Sequence, residues 1–109
     1  MKLPDRNKVF DTAYKTADKL AKQVEDQLET PITNTITYNS KRGYMSASID
    51  LDSDEYGNMV INQNYLEKLR QPMVFQIVKT DFGDQGYELD FHETHQSDLL
   101  VVSWKHKLD

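Results

Sequence analysis

The stretch that decides the fold is VFDTAYKTADKLAKQVEDQL, residues 9–28, in which apolar side chains recur every three or four positions. At about 100° per residue, such side chains form one stripe along a helix. The stripe comprises Val9, Phe10, Ala13, Tyr14, Ala17, Leu20, Ala21, Val24 and Leu28. Asp5 is a suitable N-cap, and Pro31 disfavours helical geometry at Thr30, so the sequence predicts a helix over about residues 5–29. Its charged opposite face is interpreted as a solvated face without a site.

Beyond residue 30 the hydrophobic pattern changes to the alternation of strands. Residues 35–39 and 45–51 are predicted to form a hairpin around the turn SKRG, and NMVIN, residues 58–62, a short return strand. NYLEKLRQP is predicted to be a short helix that Pro72 ends. Three further strands are predicted, with the turn DFGDQG between the first two: MVFQIVKT (73–80), YELDFHE (87–93) and SDLLVVSWKHK (97–107).

This order of elements contains no βαβ crossover and predicts a two-layer α+β domain. The long N-terminal helix packs on an antiparallel sheet of about five strands, and the short helix precedes the last three-strand meander. In YELDFHE, the side chains Tyr87, Leu89 and Phe91 are predicted to face the core and Glu88, Asp90 and His92 to face solvent. The length of 109 residues fits one domain, residues 1–109.

Composition and charge restrict the classes of function. The net charge is -5, and residues 73–109 carry three basic against seven acidic side chains. Because phosphate affinity depends on clustered lysine and arginine, no direct nucleic-acid binding is expected. The start MKLPDRNK does not have the pattern of a signal peptide, and no long apolar run predicts a membrane span. Cysteine is absent, which favours a cytoplasmic protein without disulfides.

The acidic stretch IDLDSDEYGN, residues 49–58, invites comparison with a calcium loop. An EF-hand requires oxygen ligands at positions 1, 3 and 5, glycine at 6 and an acid at 12. A loop that begins at Asp50 has Glu55 in place of the glycine, and one that begins at Asp52 ends on Gln63. The preferred interpretation is therefore an acidic hairpin end, which also discourages aggregation between sheet edges.

Other chemical motifs are incomplete. The two histidines of FHETHQSD are three residues apart, whereas the zincin motif separates them by four. His92, His95 and Asp98 can still converge in a turn, and Asp90 with His92 is the best candidate general-base pair. No nucleophile elbow, phosphate-binding loop or dinucleotide fingerprint occurs. We expect no catalytic residues, no metal site and no cofactor.

The remaining feature is a distributed negative surface. Acids recur in residues 81–98 with no lysine or arginine between them, and residues 50–55 add four more. Such a surface speeds association with a basic partner. Tyrosine beside acids suits an interface, because it supplies contact area with a polar tip. The predicted binding residues are Asp50, Asp52, Asp54, Glu55, Tyr56, Asp81, Asp84, Glu88, Asp90 and Glu93.

These observations predict a non-enzymatic interaction protein that occupies a basic surface of a protein partner, such as a nucleic-acid-binding surface. In size, charge and lack of cysteine the chain resembles small acidic inhibitors, the nucleic-acid mimics of phages and mobile elements. One alternative is a small-ligand protein or enzyme with a pocket between helix and curved sheet, a use found in cystatin-like folds. Another is an acidic assembly factor that forms a homodimer through residues 35–39; the element order is loosely similar to type III secretion chaperones, without their additional helix.

Overall fold

The computed structural model describes residues 1–52, 61–93 and 98–104. In chain order it contains α1 (Arg6–Lys41), β1 (Ser46–Asp50), α2 (Gln63–Leu69), α3 (Pro72–Asp84), β2 (Glu88–Glu93) and β3 (Asp98–Ser103). The predicted α+β class, with a long N-terminal helix and an antiparallel sheet, is confirmed. The sheet has three strands within the described ranges, against the five or so that were predicted. Most of the predicted strand NMVIN lies outside those ranges.

Helix α1 continues well beyond its predicted end. The Asp5 side chain caps its first turn by accepting hydrogen bonds from the backbone N–H groups of Asn7 and Lys8. The predicted end at residue 29 and the predicted strand 35–39 are both wrong, because the helix runs through Pro31 to Lys41. Leu28 and Ile32, four residues apart, are both buried. Their packing offsets the lost backbone hydrogen bond and the ring clash, which cost about 3 kcal/mol for a proline inside a helix.

Helices α2 and α3 follow one another with a two-residue break. The short helix NYLEKLRQP is confirmed as α2, but the predicted strand MVFQIVKT is wrong, since those residues belong to α3. Pro72 occupies the first position of α3, where its missing N–H has no helical partner to lose. Val74, Ile77 and Val78 are buried at helical spacing, and DFGD forms the last turn of α3 instead of linking two strands.

The sheet has the order β1-β3-β2, with both pairings antiparallel. One face packs against the helices through Ala47, Ile49, Leu89, Leu100 and Val102, all buried. We call the opposite face the outer face. The predicted alternation of YELDFHE is confirmed: Leu89 is buried and Phe91 is packed against the core, whereas Glu88, Asp90 and His92 are exposed on the outer face.

The core lies between the inner face of the sheet and the three helices. Helix α1 contributes Ala17, Ala21, Val24, Leu28 and Ile32, at the spacing that the stripe predicts. The stripe covers the core only from Ala17 onward, since every residue from 1 to 16 is exposed. We call residues 6–16 of α1 the overhang. No helix in the described ranges is long and apolar enough to cross a membrane.

Candidate functional site

A groove of about 720 Å³ lies between α1 and the C-terminal end of α3, and we call it the acidic groove. Its lining combines five carboxylates with a single lysine and four large apolar side chains. The lining residues are Lys22, Glu25, Asp26, Glu29, Ile32, Thr33, Ile36, Thr37, Asp81, Phe82, Asp84, Gln85 and Tyr87. The groove therefore offers negative charge and apolar contact to the same ligand.

Helical periodicity explains how α1 supplies one wall. Glu25, Glu29, Ile32 and Ile36 follow each other at steps of three and four residues, so they lie along one flank of the helix beside the core stripe. Ile32 is buried and Ile36 packs against the core, whereas Glu29 is exposed. The apolar residues thus form the base of the groove, and carboxylates border it.

The end of α3 supplies the other wall. Asp81, Phe82 and Asp84 belong to its last turn, and Tyr87 follows after the turn at Gly86. Gly86 has φ +91°, a left-handed conformation that glycine adopts without a steric penalty. This turn reverses the chain between α3 and β2, and the Tyr87 backbone N–H donates to the Phe82 carbonyl at 3.0 Å, so that both residues line the groove.

Three charged side chains join the two walls. Lys22 Nζ lies 2.6 Å from Asp81 Oδ2 and 3.6 Å from Glu25 Oε2. The carboxyl groups of Glu25 and Asp81 also interact with each other. Two carboxyl groups this close share a proton more readily than both ionise. The single lysine of the groove is therefore already engaged, and Asp26, Glu29 and Asp84 border the groove as further carboxylates.

The pKa values of the two carboxyl groups move in opposite directions. Burial raises the pKa of Glu25 to about 7, and the hydrogen bond and negative charge of Asp81 act in the same direction, while Lys22 opposes them. Hydrogen bonds, first from Glu25 and then from Lys22, lower the pKa of Asp81. Below neutral pH, Glu25 is the proton donor and Asp81 the acceptor. Above it, the groove gains one negative charge.

The acids predicted from the sequence lie in three places. Asp81 and Asp84 line the acidic groove. Glu88 and Asp90 are exposed on the outer face, where Asp90 Oδ1 lies 3.9 Å from Lys79 Nζ. A third group lies at one end of the sheet: Asp52, Glu93 and Asp98 lie close to Arg70, and Asp50 ends β1 opposite Leu99. Asp54, Glu55 and Tyr56 lie outside the described residues.

The group at the sheet end links both acidic segments, but Arg70 lies among them. Asp98 is buried, with 4% of its surface exposed, and its carboxylate pairs with the Arg70 guanidinium. The Asp98 backbone N–H donates to Asp52 Oδ2 at 2.9 Å, and Leu51 N–H donates to the Asp98 carbonyl. This cluster has a structural role, since it fixes β1 against the start of β3. Among the described residues, the acids of the two segments are therefore divided between this cluster, the outer face and the acidic groove.

Two of the candidate metal ligands, His92 and Asp98, lie on opposite faces of the sheet. His92 pairs in register with Leu99 on the outer face, whereas Asp98 is directed to the buried face. His95 lies outside the described residues. Among the residues that are described, no three histidines or acids are grouped so that they can hold a metal ion. Asp90 and His92 do share the exposed face, as predicted, with Lys79 beside the carboxylate.

Asp26 and Lys22 are groove residues that were predicted to lie on a solvated helix face, and Glu25 and Glu29 are groove residues for which the sequence predicts no role. Their proximity to Ile32 and Ile36 at helical spacing was the available signal, but it required α1 to extend past Pro31.

No family model, curated protein or solved structure matches this chain. The geometry and charge of the groove are therefore the features that bear on the function of this chain.

Proposed function

We propose that this protein is a non-enzymatic interaction protein that holds a basic, partly apolar segment of a protein partner in the acidic groove. Binding then covers the basic surface of that partner. The observation that carries the proposal is the combination in one groove of five carboxylates, one engaged lysine and a base of Ile32, Ile36, Phe82 and Tyr87. A site for simple ions needs no apolar base, and a site for apolar ligands needs no carboxylates.

The charges favour a cationic ligand. Lys22 is paired with Asp81, so its positive charge neutralises the Asp81 carboxylate and does not repel a cationic ligand from the other carboxylates. Asp26, Glu29 and Asp84 are exposed at its borders. Exposed carboxylates grouped in a concave surface attract cations, speed their association and give a dependence on salt. We expect the partner to associate faster at low than at high ionic strength.

The dimensions favour a helical segment. The α1 residues that line the groove extend from Lys22 to Thr37, about 22 Å at 1.5 Å per residue. An amphipathic helix placed in such a groove buries its apolar face on the base and directs lysine or arginine to the borders. Absence of cysteine suits a partner in the reducing cytoplasm.

The test is titration of the full chain with a fluorescent amphipathic peptide made of lysine and leucine, followed by anisotropy. Glu29→Lys with Asp84→Lys reverses two exposed groove charges. Glu67→Lys with Glu88→Lys, on α2 and the outer face, gives the same change in net charge outside the groove. We expect the groove variant to bind at least about tenfold more weakly than the control variant. Equal losses of peptide affinity in both variants contradict the proposal, because binding then depends only on the net charge of the protein and not on the groove.

The Glu25–Asp81 pair favours a second candidate function, a site that binds a small cationic ligand or catalyses acid–base chemistry on it. Two carboxyl groups whose pKa values are driven apart are the arrangement that separates a general acid from a general base. Competition decides between the two candidates. Spermidine that displaces the peptide at a similar concentration favours the small ligand; spermidine that displaces it only at far higher concentration favours the protein segment.

A further inference from the structure

The overhang is an apolar helix face that nothing in the described part of the chain covers. Val9, Phe10 and Tyr14 are 51%, 56% and 47% exposed, although they continue the stripe that is buried from Ala17 onward. The Phe10 and Tyr14 rings stack on each other, with centroids 6.3 Å apart. Large exposed aromatic side chains that adjoin one another are characteristic of contact surfaces.

The overhang also differs in charge from the rest of the chain. Residues 6–16 carry three basic side chains and one acidic side chain, whereas residues 17–109 carry nine basic and sixteen acidic ones. Arg6 lies on the same side of the helix as Phe10 and Ala13, at steps of four and three residues. The exposed face of the overhang is therefore apolar with a positive charge at its N-terminal end.

The two unusual surfaces of the chain are complementary. The overhang presents aromatic side chains and Arg6, and the acidic groove presents an apolar base bordered by carboxylates. The overhang has eleven residues, about 16 Å of helix, and the groove wall on α1 is about 22 Å long. A helix of this length fits within the groove.

We infer that the acidic groove of one copy receives the overhang of a second copy of this chain. The inference rests on the proposed function, because it names the occupant of the same groove. Phe10 and Tyr14 would lie on the base formed by Ile36, Phe82 and Tyr87, with Arg6 near the bordering carboxylates.

Helix α1 carries both the overhang and one wall of the acidic groove, and this arrangement permits a reciprocal dimer. The overhang occupies its N-terminal third and the groove wall its C-terminal half. When two α1 helices run antiparallel, each overhang points along the groove of the other copy. Both contacts are then related by a two-fold axis, the commonest symmetry of homodimers. Two equal contacts form for one loss of translational and rotational freedom.

The test is sedimentation velocity of the full chain over a wide range of concentration. The overhang variant is Arg6→Glu with Phe10→Ser, and its control is Lys8→Glu with Thr12→Ser, the same spacing and charge change on the opposite side of the helix. All four positions are exposed, so circular dichroism should show unchanged folding. We expect wild type and control to dimerise, and the overhang variant to do so about thirtyfold more weakly, as on loss of an aromatic anchor.

Mixing identifies which surfaces meet. The groove variant, Glu29→Lys with Asp84→Lys, retains its overhang, and the overhang variant retains its groove. At a concentration where wild type is dimeric and each variant alone is monomeric, the two variants together should form a heterodimer through the one intact contact. A monomeric wild type, a dimer indifferent to the overhang variant, or a mixture that does not associate overturns the inference.

The proposed function is tested separately by adding the lysine–leucine peptide to the overhang variant, whose groove is not occupied by a second copy. Peptide binding together with a monomeric wild type keeps the proposed function and removes the inference. Dimerisation through the overhang without peptide binding removes the groove as a general site for basic segments and keeps the contact between copies.

Discussion

The proton shared by Glu25 and Asp81 makes the stability of the protein depend on pH in a defined direction. Burial and the neighbouring carboxylate raise the pKa of Glu25 from 4.5 to about 7. The folded protein therefore binds a proton that the unfolded chain releases between those two values. The resulting stabilisation is complete below pH 4.5 and is lost as the pH rises to about 7.

The size of the effect follows from the shift in pKa. Each unit is equivalent to about 1.4 kcal/mol, so the full shift from 4.5 to about 7 sets an upper bound of roughly 3 kcal/mol. The Glu25 side chain retains 19% exposure and has Lys22 beside it, which screens part of the interaction. We expect the free energy of unfolding to fall by about 1 to 2 kcal/mol across this range. The lowered pKa of Asp81 acts in the opposite sense only in acid, where stability is lost as the pH falls below 3.8.

The assay is urea denaturation of wild type and Glu25→Gln at a series of pH values. Glutamine reproduces the protonated carboxyl group, since its amide can donate to Asp81 at every pH. Wild type and variant should be equally stable near pH 4.5, and the variant should be about 1 to 2 kcal/mol more stable above pH 7. Glu29→Gln, exposed on the same flank of α1, is the control. A difference between wild type and Glu25→Gln that does not vary with pH refutes the shared proton.

Three further predictions follow from the same structure. Pro31→Ala should stabilise the protein by about 1 to 3 kcal/mol and increase helical circular dichroism, because alanine restores the hydrogen bond that proline lacks; destabilisation would show that α1 needs the proline. Arg70→Met should lower the free energy of unfolding in urea by about 2 to 4 kcal/mol, because it leaves the buried Asp98 carboxylate unpaired. Adding Asp98→Asn should restore part of that stability. An unchanged free energy of unfolding in Arg70→Met would contradict a buried ion pair. Peptide affinity should rise as the pH passes about 7 in wild type and stay level in Glu25→Gln, measured by anisotropy.

The elements predicted correctly from the sequence are those whose periodicity was unambiguous. The stripe from Ala17 to Leu28 could only be a helix face, and alternation in YELDFHE assigned Leu89 inward and Asp90 outward. The run MVFQIVKT was wrongly predicted as a strand because its β-branched and aromatic residues favour strands. Its buried Val74, Ile77 and Val78 also fit a helix, and packing against α1 selects that alternative.

The candidate site could be predicted only in part for the same reason. The sequence predicts Asp81 and Asp84 as binding residues, but with α3 predicted as a strand they had no reason to approach Glu25 or Glu29 in one groove. Because Pro31 predicts the end of α1 near residue 29, the predicted helix did not include Ile32 and Ile36. Buried tertiary contacts outweighed the local preference of proline, and these contacts are not visible in a local pattern.

Nuclear magnetic resonance titration of the isotope-labelled overhang variant with the lysine–leucine peptide tests most simply whether a basic, partly apolar segment binds in the acidic groove. Backbone amide shifts should change at Ile36, Phe82 and Tyr87, in the acidic groove, and stay unchanged at Leu99 and Val101 on the outer face. Shift changes that concentrate on the outer face or around Arg70, with the groove unaffected, contradict the account.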